Sequence, residues 1–192
     1  MKNIIFGIAI FAIFFSACTN SNRPVASQSE IIDTVKASTQ TNGEAIASAA
    51  SVKEIVSSYL QIKNALVSDN GNDAAAGGKA MVDAMGKFDK SSLSAGQKKA
   101  YEDVADDIKE NAEHISENSN KIDHQREHFD MLSQDMNDLV KSFGAGQTLY
   151  QDFCPMYNNK KGAIWLSETK EIRNPYMGKK MHDCGAVKEE LK

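Results

Sequence analysis

The sequence predicts a mainly α protein: an antiparallel four-helix bundle followed by a small C-terminal β-hairpin or irregular module. Three observations carry that expectation. Apolar residues recur at helical spacing in four successive stretches between residues 51 and 146, and short breaks rich in Gly, Asn and Ser separate them. Beyond Gly146 the periodicity gives way to aromatic residues punctuated by turn signals. Amphipathic helices joined by short loops bury their stripes most simply in an up-down-up-down bundle.

The first helix starts behind Ser51 as a cap and places Val52, Ile55, Val56, Tyr59, Ile62, Leu66 and Val67 on one stripe, ending near Asp69-Asn70-Gly71. The second covers about 73–88 and uses Ala76, Ala80, Met81, Ala84, Met85 and Phe88. Gly77-Gly78 inside it costs on the order of 2 kcal/mol against alanine, which close helix approach would justify. Ser94 caps the third, whose inner face is Tyr101, Val104, Ala105, Ile108, Ala112 and Ile115. The run 116–120 interrupts it and argues against one long helix. The fourth begins around Asp123, with Ile122, Phe129, Leu132, Met136, Leu139, Val140 and Phe143 inward, and stops at Gly144 and Gly146. Met81, Met85, Met131 and Met136 read as core rather than as ligands.

In the last segment, 147–192, Ala163-Ile164-Trp165-Leu166 reads as a short strand with Glu171-Ile172-Arg173 as its partner. Turn signals stand at Asn158-Asn159, Lys161-Gly162, Asn174-Pro175 and Cys184-Gly185, and no internal repeat is evident.

At the other end, Lys2 precedes an uncharged apolar run over 4–15, followed by Ser16-Ala17-Cys18. The run is too short to cross roughly 30 Å of hydrocarbon as a helix and reads as a signal peptide over 1–17. Ser16-Ala17-Cys18 resembles the lipobox of bacterial lipoproteins, with Phe15 standing where Leu is usual. That resemblance implies acylation of Cys18, hence a lipid anchor in the membrane and a place on the periplasm-facing side of the cell envelope. Residues 18–50, rich in Ser, Thr, Asn, Gln and Ala, are expected to be a flexible tether. The bundle then occupies 51–146 and the C-terminal module 147–192. The chain has 192 residues and a net charge of −4. An acidic balance of this kind implies no nucleic-acid partner.

The C-terminal module holds the chemistry. Between Cys154 and Cys184 lie Met156, Met177, Met181 and His182. Thiols, thioethers and an imidazole suit a soft cation such as Cu(I), or Ag(I) in its place, better than Mg²⁺ or Ca²⁺, which take oxygen ligands. Cys154 and Met156 project from the same side if their backbone is extended, and Met177 and Met181 are one helical turn apart if theirs coils. The expected metal ligands are Cys154, Cys184 and Met156 first, then Met181 and His182, with Met177 last because it could instead pack on Trp165. The competing reading is structural. With Cys18 spent on lipid, Cys154 and Cys184 form an even pair in an oxidising compartment, and a disulfide between them would add ~3–4 kcal/mol by closing the loop.

The remaining histidines read differently. His124 and His128 are four apart, but Glu127 does not complete a His-Glu-x-x-His frame, and 123–128 is expected to be a charged exposed turn. His114 lies in an acidic stretch and is expected to be solvated. No Gly-x-Ser-x-Gly elbow, phosphate-binding glycine loop or paired-carboxylate frame is present, so no catalytic residues are assigned and a non-enzyme is expected.

Several strings carry a resemblance: Cys154-Pro155-Met156, Gly162-Ala163-Ile164-Trp165-Leu166-Ser167, Asn174-Pro175-Tyr176, Cys184-Gly185, the stretch 125–129 with Leu132-Ser133, and 59–66. Together they resemble a domain of unknown function found in bacterial envelope lipoproteins and attached to adaptor, or membrane-fusion, subunits of copper and silver efflux pumps. The resemblance runs from about Val52 to Glu190. It implies a helical bundle with a small C-terminal module, heavy-metal handling, and a metal-efflux adaptor or periplasmic metal carrier as partner. The chain lacks room for an adaptor's own long hairpin and barrel segments. The expected role is therefore a free-standing binder or chaperone.

Overall fold

The computed structural model describes residues 40–192, with side chains from Val52 onward. The signal peptide expected over 1–17, the acylated Cys18 and the tether up to residue 39 lie outside the described residues. Helix α1 spans Gln40–Val67 and α2 Gly71–Lys87; a short α3, Ala95–Glu102, leads into α4, Ala105–Glu117, and α5 covers Ile122–Phe143. Three strands follow, β1 Leu149–Cys154, β2 Ala163–Ser167 and β3 Ala186–Leu191. None of the described helices is long and apolar enough to cross a membrane.

The bundle consists of α1, α2, α4 and α5, each packed on the next. The expected inner stripes are realised: Val52, Ile55, Tyr59, Ile62 and Leu66 on α1 and Phe129, Leu132, Met136 and Leu139 on α5 are all buried. Caps set the boundaries. Asn70 accepts from the Asp73 amide at the start of α2, and Ser94 forms a reciprocal capping box with Gln97 at α3. The two glycines of α2 do mark a close approach. A Cβ on Gly77 would lie 2.8 Å from Ile62 Cγ1 of α1, and one on Gly78 2.7 Å from the Ala112 carbonyl oxygen of α4. Helix α2 is thus pressed between its two neighbours where only hydrogen fits.

Four details differ from expectation. Helix α1 begins at Gln40 rather than behind Ser51, so residues 40–50 of the expected tether are helical; alanines at 45, 47, 49 and 50 favour continuation. The third helix is broken at Asp103-Val104 into α3 and α4. The break lets Tyr101 stack on Phe88 at 4.4 Å while Ile108, Ala112 and Ile115 face the bundle core. In α2, Ala74 and Ala75 are buried and Ala76 is exposed, and on α5 Met131 is 45% exposed rather than core.

The fourth difference concerns the sheet. It is three-stranded and antiparallel in the order β2-β1-β3, so the partner of β2 is Leu149–Cys154 and not 171–173. Its β2 strand lies on α5 and α1. Tyr59 Oη meets Ser133 Oγ at 2.8 Å and accepts from the Leu166 amide at 3.0 Å, which fixes the sheet to both helices. Buried Lys63 bonds Glu168 beyond the end of β2 at 2.7 Å. Buried Arg126 of α5 donates from Nε to the Pro175 carbonyl at 2.8 Å and from Nη2 to the Leu66 carbonyl at 3.1 Å, and pairs with Asp69. Tyr176 is buried against Phe129, Tyr157 and Trp165, and its hydroxyl donates to the Ile164 carbonyl.

Candidate metal centre

Strand pairing brings the two downstream cysteines together. Cys154 is the last residue of β1, and Phe153 pairs with Ala186, the first residue of β3. Cys184 lies two residues before that pairing point and so arrives beside Cys154. Their Sγ atoms are 3.4 Å apart, and both are free thiols. Cys154 is fully buried, whereas Cys184 is partly exposed, so the pair has a closed inner side and an accessible rim.

Asn174 builds that rim. Its side-chain oxygen accepts from the amides of Tyr176 and Met177 at 2.8 and 3.0 Å, and its Nδ2 donates to the Cys184 carbonyl at 2.6 Å. Its own amide donates to the His182 carbonyl at 2.7 Å. A turn over 181–184 is closed by the Cys184 amide donating to the Met181 carbonyl at 3.3 Å. Gly185 then takes φ +147, where a Cβ would lie 2.8 Å from the Trp165 ring and 3.0 Å from the Phe153 carbonyl. Only glycine lets the chain pass that ring and leave Cys184 against Cys154.

A shared ion and a disulfide require different sulfur spacings. With metal–sulfur bonds of about 2.3 Å, two thiolates on one tetrahedral centre stand roughly 3.7 Å apart, whereas a disulfide needs about 2.05 Å. The observed 3.4 Å lies between the two, at contact distance for a pair of thiols. Burial first, then the adjacent Cys154 sulfur and Asp183, pushes the Cys184 thiol above its ordinary pKa. An incoming thiophilic ion would therefore displace a proton on binding.

The other expected ligands do not all converge. Pro155-Met156 turns away at the end of β1, Met156 has φ −92° and ψ −23°, and it is 47% exposed. The extended Cys-x-Met presentation is thus lost to the proline turn. Residues 178–180 do coil, as a single 3₁₀ turn between Met177 and Met181. Met177 is packed against the hydrophobic core, and Met181 is 38% exposed on the same turn as Cys184. His182 is exposed and does not join the two thiols in a three-ligand group. What remains of the expected set is the thiol pair, with Met181 on the turn that ends at Cys184.

Among the described residues, a three-ligand group of a different kind does form, from His114, His124 and His128. The sequence predicts a solvated His114 and a charged exposed turn over 123–128. In the structure 123–128 is the first part of α5, and all three histidines are partly buried. A signal was available. His114 precedes the break at 118–121 by about as many residues as His124 follows it, so an antiparallel helix hairpin folded there must bring them together.

Residues 55–148 match the family described as "Protein of unknown function (DUF3347)", so the chain carries a domain of unknown function over that span. The matched segment covers α1 only from residue 55 onward, takes in all of α2 to α5 and ends just before β1, so the thiol pair lies beyond it. No curated protein matches. No solved structure matches either.

Proposed function

We propose that this chain is a non-enzymatic, lipid-anchored binder or chaperone of a soft heavy-metal ion on the periplasm-facing side of the envelope. Its cargo is Cu(I), with Ag(I) as the nearest substitute, and it serves metal efflux or homeostasis. The observation that carries the reading is the 3.4 Å approach of Cys154 and Cys184, one sulfur sealed in the core and the other at the surface. Thiolates are soft donors that select Cu(I), and a low-coordinate site needs few ligands beyond them. A thioether completes the set: Met181 shares the turn of Cys184, and its partial exposure leaves it free to swing in and out. Exchange at that weaker ligand would let a receiving protein take the ion. The resemblance to the domain attached to copper and silver efflux adaptors agrees with a carrier that hands its ion to such a partner, the lipid on Cys18 keeping it at the membrane.

The same sulfur spacing supports a second reading, a structural or interaction lipoprotein whose tail is closed by a Cys154–Cys184 disulfide. Two measurements separate them. Titrated without oxygen, the reduced protein should bind one Cu(I) in competition with a chelator, and Cys154→Ser with Cys184→Ser should abolish it. Unchanged stoichiometry in the double variant sinks the thiol site. Two titratable thiols at these positions in protein taken from the periplasm favour the carrier, and none favours the bridge.

A further inference from the structure

On the bundle, remote in sequence from the thiol pair, α4 and α5 hold three imidazoles against one another. His114 and His128 stack with ring centroids 4.1 Å apart and planes within 3°, and His124 stands edge-on to His128 at 4.6 Å. One nitrogen from each ring lies within 4.8 Å of the others. We propose that His114, His124 and His128 form a binding site for a first-row divalent cation of the Zn²⁺ or Cu²⁺ class, stapling α4 to α5.

Three arrangements support it. First, the rings are oriented by their neighbours. His128 Nδ1 meets Asn111 Oδ1 at 2.9 Å and His124 Nδ1 meets Glu127 Oε2 at 3.3 Å. With Nδ1 as the donor in each contact, Nε2 keeps its lone pair, the usual way an outer partner fixes the tautomer of a ligating histidine. Second, the spacing is within reach of coordination. Metal–nitrogen bonds of about 2.0–2.1 Å put nitrogens on one ion roughly 3.3 Å apart, so binding requires His114 and His128 to turn out of their parallel stack until their lone pairs converge. Third, a groove of about 380 Å³ lined by Asp107, Glu110, His128 and Asp135 lies at one edge of the cluster, so its carboxylates favour cations beside His128.

His114 has Glu110 at 4.0 Å, so a fourth, oxygen ligand is close at hand. Imidazole and carboxylate donors suit borderline divalent ions, where the thiol pair suits a soft monovalent one. The chain thus offers two sites of different selectivity.

The test uses the mature chain with Cys154→Ser and Cys184→Ser, so that thiols do not compete. Zn²⁺ titrated into it should bind at one equivalent and raise Tm, and Cu²⁺ in its place should give an electron paramagnetic resonance spectrum with nitrogen hyperfine lines. Adding His114→Gln and His124→Gln, both on partly exposed rings, should weaken binding at least tenfold and abolish the rise in Tm. In the chain with its thiols intact, where folding of the serine variant is not in question, the two glutamines should remove one Zn²⁺ equivalent and leave Cu(I) stoichiometry unchanged. Zn²⁺ binding that ignores the glutamines, or no binding at all, overturns the proposal without touching the thiol site.

Discussion

Asn174 Nδ2 donates to the carbonyl of Cys184 across 2.6 Å, and Asn174 is itself fully buried. One amide side chain therefore holds both the 175–177 turn, through its oxygen, and the cysteine, through its nitrogen. A buried amide satisfied on both sides is costly to remove, because each partner left behind loses about 1–3 kcal/mol of hydrogen bonding.

Asn174→Ala should therefore destabilise the module by about 2–4 kcal/mol, and Cu(I) affinity should fall with it. Asn174→Asp keeps the oxygen and loses the donor. It is expected to preserve the turn while loosening Cys184, lowering Cu(I) affinity more than stability. Chemical denaturation paired with chelator competition checks both; equal stability loss in the two variants contradicts the division of roles.

Arg126 joins three segments at once, the end of α1 through Leu66 and Asp69, its own helix, and the C-terminal module through Pro175. Replacing it with Met leaves the Pro175 and Leu66 carbonyls without their donor and should cost about 3 kcal/mol. Lys at the same position reaches only one partner, since it lacks the planar fork, and should recover less than half of the loss. Limited proteolysis supplies a second readout. Cleavage after residue 143 should quicken in Arg126→Met before the bundle itself is digested, and uniform digestion would count against the docking role.

Asp135 gives the pH dependence. Burial, then Asp107 and Asp138, pushes its pKa up to about 6. Its contribution to stability is full below the unfolded carboxylate value of about 4 and fades as pH rises through the folded value. Asp135→Asn should leave stability near pH 4 unchanged and raise it near pH 7.5 by about 1 kcal/mol, after allowance for solvent screening. Equal shifts at the two pH values would contradict this assignment.

The helices were legible because their apolar residues repeat at one period over long windows, and the stripe from Val52 to Leu66 is buried as read. Strand β1 was not. Its buried residues are Leu149, Asp152 and Cys154, an alternation shifted by the irregularity between Gln151 and Asp152. An inward carboxyl masks the pattern further: burial pushes the pKa of Asp152 to about 7 even with Lys63 nearby. In the candidate site the approach of Cys154 to Cys184 was legible from chemistry and chain order. The Met156 presentation was not, because Pro155 ends the strand where extended backbone was assumed. The histidine cluster needed two helices at once, and neither helix alone announces it.

The central claim is that two thiolates, and not the histidines, hold a soft ion. Copper X-ray absorption on the reduced protein loaded with one equivalent of Cu(I) tests it most directly. The expected result is a coordination shell of sulfur alone, at least two atoms at about 2.3 Å, unchanged by His114→Gln and His124→Gln. A shell dominated by nitrogen or oxygen, or one that survives Cys154→Ser with Cys184→Ser, would contradict it.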